Sequence, residues 1–493
     1  ILLKEKAYLW DLVPSPLSPQ DHLRERGIAE YTVVQAEEGK PNGTFLIEKP
    51  ASNPNYKANV EMFAKSFDGN RNKTYATWQY FGSPVKAANR DQLPLESTWV
   101  RKYNRTLNVP NSDEKWEDVT TGTLTQGEAY EITQPKPANY RFIGELNTGD
   151  FTFNVNGMAS ATNYQDMNIL ANPYTGAMNI EKLDFSGATA ADKVVYLFNT
   201  GSRKDWIANN GANATINTGV TEGQYTKAIP ANLAGYVNGM PKDIPSLSSF
   251  MVKSTGAGTL KYRYADLVNV VATENRAPER RFHSLAVDVE SAKSADRLWL
   301  VQAEGTTDRY DNGWDGEKIF APGETALYAM QDRSYQVTTT ETIGETKLGF
   351  VPAEGEQNYK LTFHIDGADG AQEYTLLDKR TGLTRAIHDG DTYEFTAAQG
   401  DAAHRFTILG NGAKATADQR GFQISADLRR NFTVKNFTDE PAEALVFDAA
   451  GKIQARFKVE AGSENTGSVV MPGAYVVRVS NKVTTLTQRF VMP

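Results

Sequence analysis

The hydrophobic positions of this chain come in short alternating runs broken by Gly, Asn, Asp and Pro. The first set comprises Tyr31–Val34, Thr44–Ile47, Val60–Ser66, Trp78–Val85, Ser97–Asn104, Trp116–Val119 and Leu124–Ile132. Alternation with a period of two, bounded by turn residues, predicts half-buried β-strands. Ahead of these runs, Pro14, Pro16 and Pro19 leave room only for a short helix, Ser18–Arg26, opened by a proline in its first turn.

The pattern then repeats. Asn168–Tyr174 takes the place of Trp78–Pro84, Lys193–Asn199 that of Ser97–Asn104, and Ile244–Val252 that of Leu124–Ile132. In both copies a strand ends near a proline (Pro84, Pro173), which cannot donate to a ladder. A charged, proline-containing stretch, Glu274–Arg281, marks a boundary. Beyond it Leu285–Val289, Arg297–Val301, Leu327–Met330, Tyr359–Ile365, Tyr374–Asp378 and His404–Ile408 recur with turn residues every eight to twelve positions, as in a sandwich. Asn411–Arg420 reads as a polar linker. Gly421–Pro493 closes the chain with further short strands.

The fold expected is therefore all-β: tandem β-sandwich domains, immunoglobulin-like or jelly-roll-like, ending in a small C-terminal β-sandwich. The expected domains are an N-terminal segment 1–29, read as the tail of a domain beginning upstream, sandwich repeats at 30–134 and 135–280, a third sandwich at 281–410, and the last at 411–493. In the final module Tyr475, Val477 and Val479 should face one side, with Ala474, Val476 and Arg478 on the other.

Composition narrows the function. The net charge is −8 and the isoelectric point about 5.4, which argues against a nucleic-acid partner that tracks phosphates. There is no cysteine, so disulfides, thiolate metal sites and a cysteine nucleophile are excluded. No stretch approaches the length of an apolar membrane span. The start, Ile1–Lys4, has neither an initiator Met nor a leader pattern, and is read as a mature or trimmed beginning.

Several motifs resemble one family. Asn168–Tyr174 with Ile244–Phe250 is similar to a tandem module of large secreted Bacteroidetes proteins, and Trp78–Val85 with Gly127–Tyr130 looks like the same module. Asp296–Trp299, Asp311–Lys318, Leu348–Phe350, Leu377–Asp378 and His404–Phe406 resemble the unit that often precedes a sorting domain there. Pro472–Val479 resembles the best-kept strand of the C-terminal sorting domain of type IX secretion cargo. The closing stretch Gln488–Pro493 departs from the Lys-rich ending usual in that domain. The resemblance implies export by the type IX translocon, recognition by its outer-membrane shuttle barrel, and attachment to lipopolysaccharide. It also implies that Pro472, Gly473, Tyr475, Val477 and Val479 form the sorting strand. The expected location is the cell surface, outer membrane or extracellular space.

Candidate chemistry is sparse. The five histidines, His22, His283, His364, His388 and His404, show no zinc-hydrolase spacing, and read as ordinary core or surface residues. No Gly-x-Ser-x-Gly elbow, phosphate loop or dinucleotide fingerprint occurs. No catalytic residue and no organic cofactor is assigned. The densest oxygen-rich loop holds Asp308, Asp311, Asn312, Asp315 and Glu317. Its residue types suit calcium; the alternative is an Asx-rich turn bonded to its own backbone. Trp99, Trp116, Trp206 and Trp314 lie in or beside polar stretches, where aromatics stack on sugars, anchor interfaces or simply fill a core. The reading favoured is a non-catalytic surface protein acting in adhesion, assembly or structural support, with a glycan or protein as ligand. The alternatives are a glycan-binding or carbohydrate-active surface protein, or a fragment of a larger surface protease.

Overall fold

The computed structural model describes residues 2–3, 32–38, 42–52, 55–66, 77–109, 113–157, 166–200, 224–235, 237, 239–268, 282–321, 323–367, 373–410, 421–427, 429–438, 440–482 and 485–492. Strand accounts for 52% and helix for 5%, so the all-β class holds; among the described residues the α-helix is Pro230–Ala234. The Ser18–Arg26 helix and the Asn411–Arg420 linker lie outside the described residues. The chain divides into two compact units. The first comprises Ile1–Phe282, Lys293–Ala295 and Tyr310–Glu324, the second His283–Ala292, Asp296–Arg309 and Thr325–Pro493.

The first unit carries the repeat in its strand order. In one copy Gln79–Phe81, Tyr130–Thr133, Trp99–Tyr103 and Trp116–Asp118 are hydrogen-bonded neighbours in that sequence; in the other Met167–Ala171, Ser249–Lys253, Val195–Asn199 and Gln224–Ala228 are. In both, the first strand of the copy pairs with its last. The flanking pairs also correspond: Lys57–Ala64 with Ala138–Glu145, and Phe151–Val155 with Gly258–Tyr262. Each copy has a 3₁₀ turn capped by an asparagine side chain. Asn89 accepts from the Asp91 amide at 3.1 Å, and Asn179 accepts from that of Glu181 at 2.9 Å. Such caps satisfy amides that have no partner within the turn.

The copies meet through reciprocal backbone contacts. Phe81 bridges Ser248 and Leu170 bridges Glu128. The Gly82 amide donates to Leu247 O at 3.0 Å, and the Ala171 amide to Gly127 O at 3.1 Å. Leu247 and Gly127 occupy equivalent places and both have left-handed backbone, φ 62° and 75°. Gly82 is required by close approach, since a Cβ there would lie 2.3 Å from that of Ala171.

The core of the first copy joins both its sheets, with Val60, Met62 and Phe142 packing with Phe81, Val100, Tyr130 and Ile132. In the second copy Phe153 meets Phe250 edge-on at 5.5 Å. Thr44–Ile47, expected as a strand, has no ladder. Its donors are drawn away, the Ile47 amide to the Tyr264 hydroxyl at 2.9 Å and that of Phe45 to Thr175 O at 3.4 Å. The Val60–Ser66 run is realised as Lys57–Ala64.

In the second unit one hydrogen-bonded path runs Leu383–Ile387, Tyr374–Asp378, His404–Leu409, Glu345–Val351, Ala326–Met330, Ser334–Thr340, Ala295–Gln302, His283–Glu290, Asn358–Asp366, Thr392–Thr396. Phe350 packs edge-on against Tyr359 and Phe395, at 4.9 and 5.1 Å. Strands far apart on the path therefore meet, and the sheet curls over its own core. The final module has two sheets, Phe422–Ala426, Asn431–Asn436 and Glu464–Ser468 against Ile453–Val459, Ala442–Asp448, Gly473–Ser480 and Thr485–Met492. Its core includes Phe432, Val434, Val446, Val477 and Val479.

Candidate functional site

The arrangement with binding character is built on the outer face of the first copy. Alternation along Trp99–Tyr103 puts Trp99, Arg101 and Tyr103 on that face and sends Val100 into the core. Register sets Trp99 opposite Thr133 and Arg101 opposite Glu131, so their side chains lie side by side. The Arg101 guanidinium sits 4.2 Å from the Trp78 ring centre and 5.1 Å from that of Trp99. Trp78 meets Trp99 edge-on at 4.7 Å. Arg101 pairs with buried Glu131 and, at 2.9 Å, with Asp113. Burial pushes the Glu131 carboxyl up to about 8, and Arg101 opposes that rise. Further along the same face Tyr80 stacks on Phe198 of the second copy at 4.0 Å, and Trp116 packs on Tyr80 and Tyr103.

Beside Trp99 lies a cavity of about 340 Å³ lined by Leu95, Trp99, Asp118, Thr133, Gln134 and Pro135 among others. This is the size range of small-molecule pockets. Its frame is Arg90, which is buried and has its charged form disfavoured by that burial. Arg90 Nε donates to Val119 O at 2.7 Å, one terminal nitrogen donates to Leu93 O, and the other donates to Thr98 O and Oγ1 at 3.3 and 3.2 Å. Arg90 thus ties together the loops that form the pocket walls. The Trp99 indole N–H donates to Asp118 Oδ1, which sets the ring's orientation. Thr133 and Gln134, 2% and 3% exposed, each place a side-chain oxygen in the interior without a hydrogen-bond partner among the described residues. The Gln134 amide nitrogen is committed to Ala64 O at 3.2 Å and to Ser66 O, which fixes Oε1 as the unpaired end.

In the oxygen-rich loop several side chains have partners within the protein. Asn312 Oδ1 accepts from the Lys193 amide at 2.9 Å and its Nδ2 donates to Ala191 O at 3.2 Å. Asp315 is fully buried and accepts from the Asp311 amide at 2.7 Å; the Asp311 carbonyl accepts from the amides of Trp314 and Asp315. Glu317 pairs with Lys253 at 3.2 Å, and Asp308 is exposed. Asn312, Asp315 and Glu317, three of the residues expected to bind calcium, thus brace a turn against the second copy. Among the described residues no three His, Cys, Asp or Glu side chains converge on a metal position.

Of the tryptophans singled out, Trp99 lines the cavity and Trp116 packs among aromatics. Trp314 lies edge-on to Phe282 at 5.8 Å, and Trp206 is outside the described residues. In the last module Tyr475, Val477 and Val479 are buried, Ala474 and Arg478 are exposed, and Gly473 and Val476 are half-buried. Pro472 precedes this strand, and the Tyr475 hydroxyl donates to Met471 O at 2.6 Å. Sequence reasoning missed Arg90, Asp118, Thr133 and Gln134; cross-strand register alone brings them to Trp99.

Residues 28–409 match the family described as "Domain of unknown function (DUF8693)". The chain belongs to this family. The match ends ahead of the last module. The chain is also 31% identical over 484 residues to "Minor fimbrium subunit Mfa5" of Porphyromonas gingivalis, an alignment covering 93% of this chain. It spans 38% of that relative's length. A solved structure titled "Biofilm associated protein - BSP domain" covers 88% of this chain and 95% of its own at 9% identity and a TM-score of 0.12, too small a likeness to bear on the fold.

Proposed function

We propose that this chain is a non-catalytic part of a cell-surface or extracellular protein, acting in adhesion or in the assembly of a surface fibre. The observation that carries the reading is the 31% identity, along nearly the whole chain, to a minor fimbrium subunit. The tandem packing of the first unit supports it. Two copies joined by reciprocal backbone bonds suit a scaffold role.

In this proposal the last sandwich is the address. It has its own core, and its Gly473–Ser480 strand alternates buried and exposed positions in the stretch whose sequence resembles the sorting strand. The type IX translocon and its shuttle barrel read that module, and attachment to lipopolysaccharide follows. The test is antibody labelling of intact cells expressing the tagged protein, with purified fimbriae probed alongside. Surface labelling together with co-purification is expected. Protein confined to the cytoplasm or periplasm, and absent from fimbriae, would overturn the reading.

A further inference from the structure

We infer that one end of the last sandwich inserts into the surface of a bilayer containing anionic phospholipids. Eight large hydrophobic side chains stand exposed among the described residues, and four of them, Ile453, Val470, Met471 and Val491, belong to this module. Val470 and Val491 are 86% and 85% exposed, the highest values of the eight. Register brings the four to one end of the sandwich. Ile453 lies opposite Phe447, Phe447 opposite Val476, and Val491 opposite Ala474. Met471 precedes the Gly473–Ser480 strand by one residue. The turn Asp427–Asn431 reaches the same end, since the Val469 amide donates to Arg430 O at 3.1 Å. Exposed apolar groups gathered in this way mark a surface that binds something.

The setting of these side chains selects the occupant. Val470 and Met471 lie in the connection between Glu464–Ser468 and Gly473–Ser480, strands of different sheets. Both carbonyls of this exposed pair are satisfied within the protein. Val470 O accepts from a terminal nitrogen of Arg430 at 2.9 Å, and Met471 O accepts from the Tyr475 hydroxyl at 2.6 Å. A turn that stays in water needs no such partners, whereas backbone entering an apolar layer does. Charge adds the second half of the match. Arg429, Lys452 and Arg489 are exposed at this end, and Arg430 is half-buried. Asp427 and Asp448 share it, but their oxygens accept from the amides of their own turns, those of Arg429 and Asn431 and those of Ala450 and Lys452. Aliphatic tips ringed by cations suit a bilayer whose headgroups carry phosphate: the tips enter the acyl boundary and the cations stay with the phosphates. A second copy placed end to end would set like charges against one another. A stable protein complex engages roughly 20–30 residues on each side, whereas these side chains project from separate turns and a strand end.

The test is sedimentation of the full chain with vesicles of phosphatidylcholine alone and of phosphatidylcholine with a quarter phosphatidylglycerol. Co-sedimentation with the anionic vesicles is expected, and it should weaken as salt screens the cations. Val470→Asp combined with Val491→Asp should lower partitioning by about tenfold or more, and Arg489→Glu by about tenfold. Leu383→Asp, which alters an exposed apolar residue ahead of this module, should bind as the parent does. The side chains replaced are all exposed, so the melting temperatures should match. The chain has no cysteine, so Met471→Cys and Leu383→Cys can each carry a single polarity-sensitive dye. The dye at position 471 should shift to the blue on anionic vesicles, and that at position 383 should not. The inference fails if the parent does not sediment, or if the folded Val470/Val491 variant binds equally. It fails too if the protein sediments while the dye at position 471 stays in water, which would mark a purely electrostatic contact. Vesicle binding requires no export, so absence of the protein from the cell surface would leave this result intact.

Discussion

Glu131 lies in the middle of the first copy's outer face, 2% exposed and paired with Arg101. Its carboxyl rises from 4.5 to about 8 because burial outweighs the guanidinium. Between those values the folded protein holds a proton that the unfolded chain has released. The stabilisation is complete below about 4.5 and is lost as pH rises through about 8. Asp243, raised to about 6 by burial, and His404, lowered to about 4, act below pH 6.5, so neither accounts for a change above it. We expect stability to fall between pH 6.5 and 8.5 by roughly 1–2 kcal/mol. In Glu131→Gln the profile should be flatter over that interval. Urea titrations of both proteins at the two pH values check this; a parent stability that rises with pH, or equal slopes, contradicts it.

At the scale of elements, Gly127 and Leu247 hold equivalent left-handed positions where the two copies exchange backbone bonds. Left-handed backbone costs an ordinary residue about 1–2 kcal/mol. A Cβ on Gly127 would also lie 2.4 Å from the Phe151 ring. Gly127→Ala should therefore cost clearly more than Gly122→Ala, whose φ is 91° but whose surroundings are open. Urea denaturation of the two variants distinguishes them, and equal losses would mean that the Phe151 contact is soft. The strap from Asp311 to Glu317 yields a second prediction. One side-chain oxygen each of Asn312, Asp315 and Glu317 is engaged by the Lys193 amide, the Asp311 amide and Lys253, so melts in excess chelator and in millimolar calcium should coincide. A calcium-dependent rise in melting temperature would instead support the metal reading.

These elements also show what the sequence could reveal. Pro84 and Pro173, with the aromatic strands that follow, marked corresponding strand ends because proline's missing donor leaves a local trace. The strap was ambiguous because a cation loop and an Asx turn ask for the same Asp, Asn and Gly residues. The Trp99 pocket was hidden for another reason. Arg90, Asp118, Thr133 and Gln134 come from separate elements, and only the register Trp99↔Thr133 and Arg101↔Asp118 assembles them. Thr44–Ile47 had the composition of a strand, but Tyr264 and Thr175 took its donors.

At the scale of the whole molecule, the account rests on a division of labour between a family region at 28–409 and a last sandwich with its own core. The alternating strand Gly473–Ser480 was legible from its sequence, since its buried and exposed positions alternate as its residue types do. Its role as an address is a claim about transport, and it is tested in cells. The most direct measurement is removal of residues 421–493 in a host with a working type IX system, followed by protease treatment of intact cells and blotting of cell fractions. The account predicts that the truncated protein accumulates in the periplasm, is as compact as the parent in limited proteolysis, and is shielded from protease added outside. Truncated protein displayed at the surface in the parent's amount would contradict it.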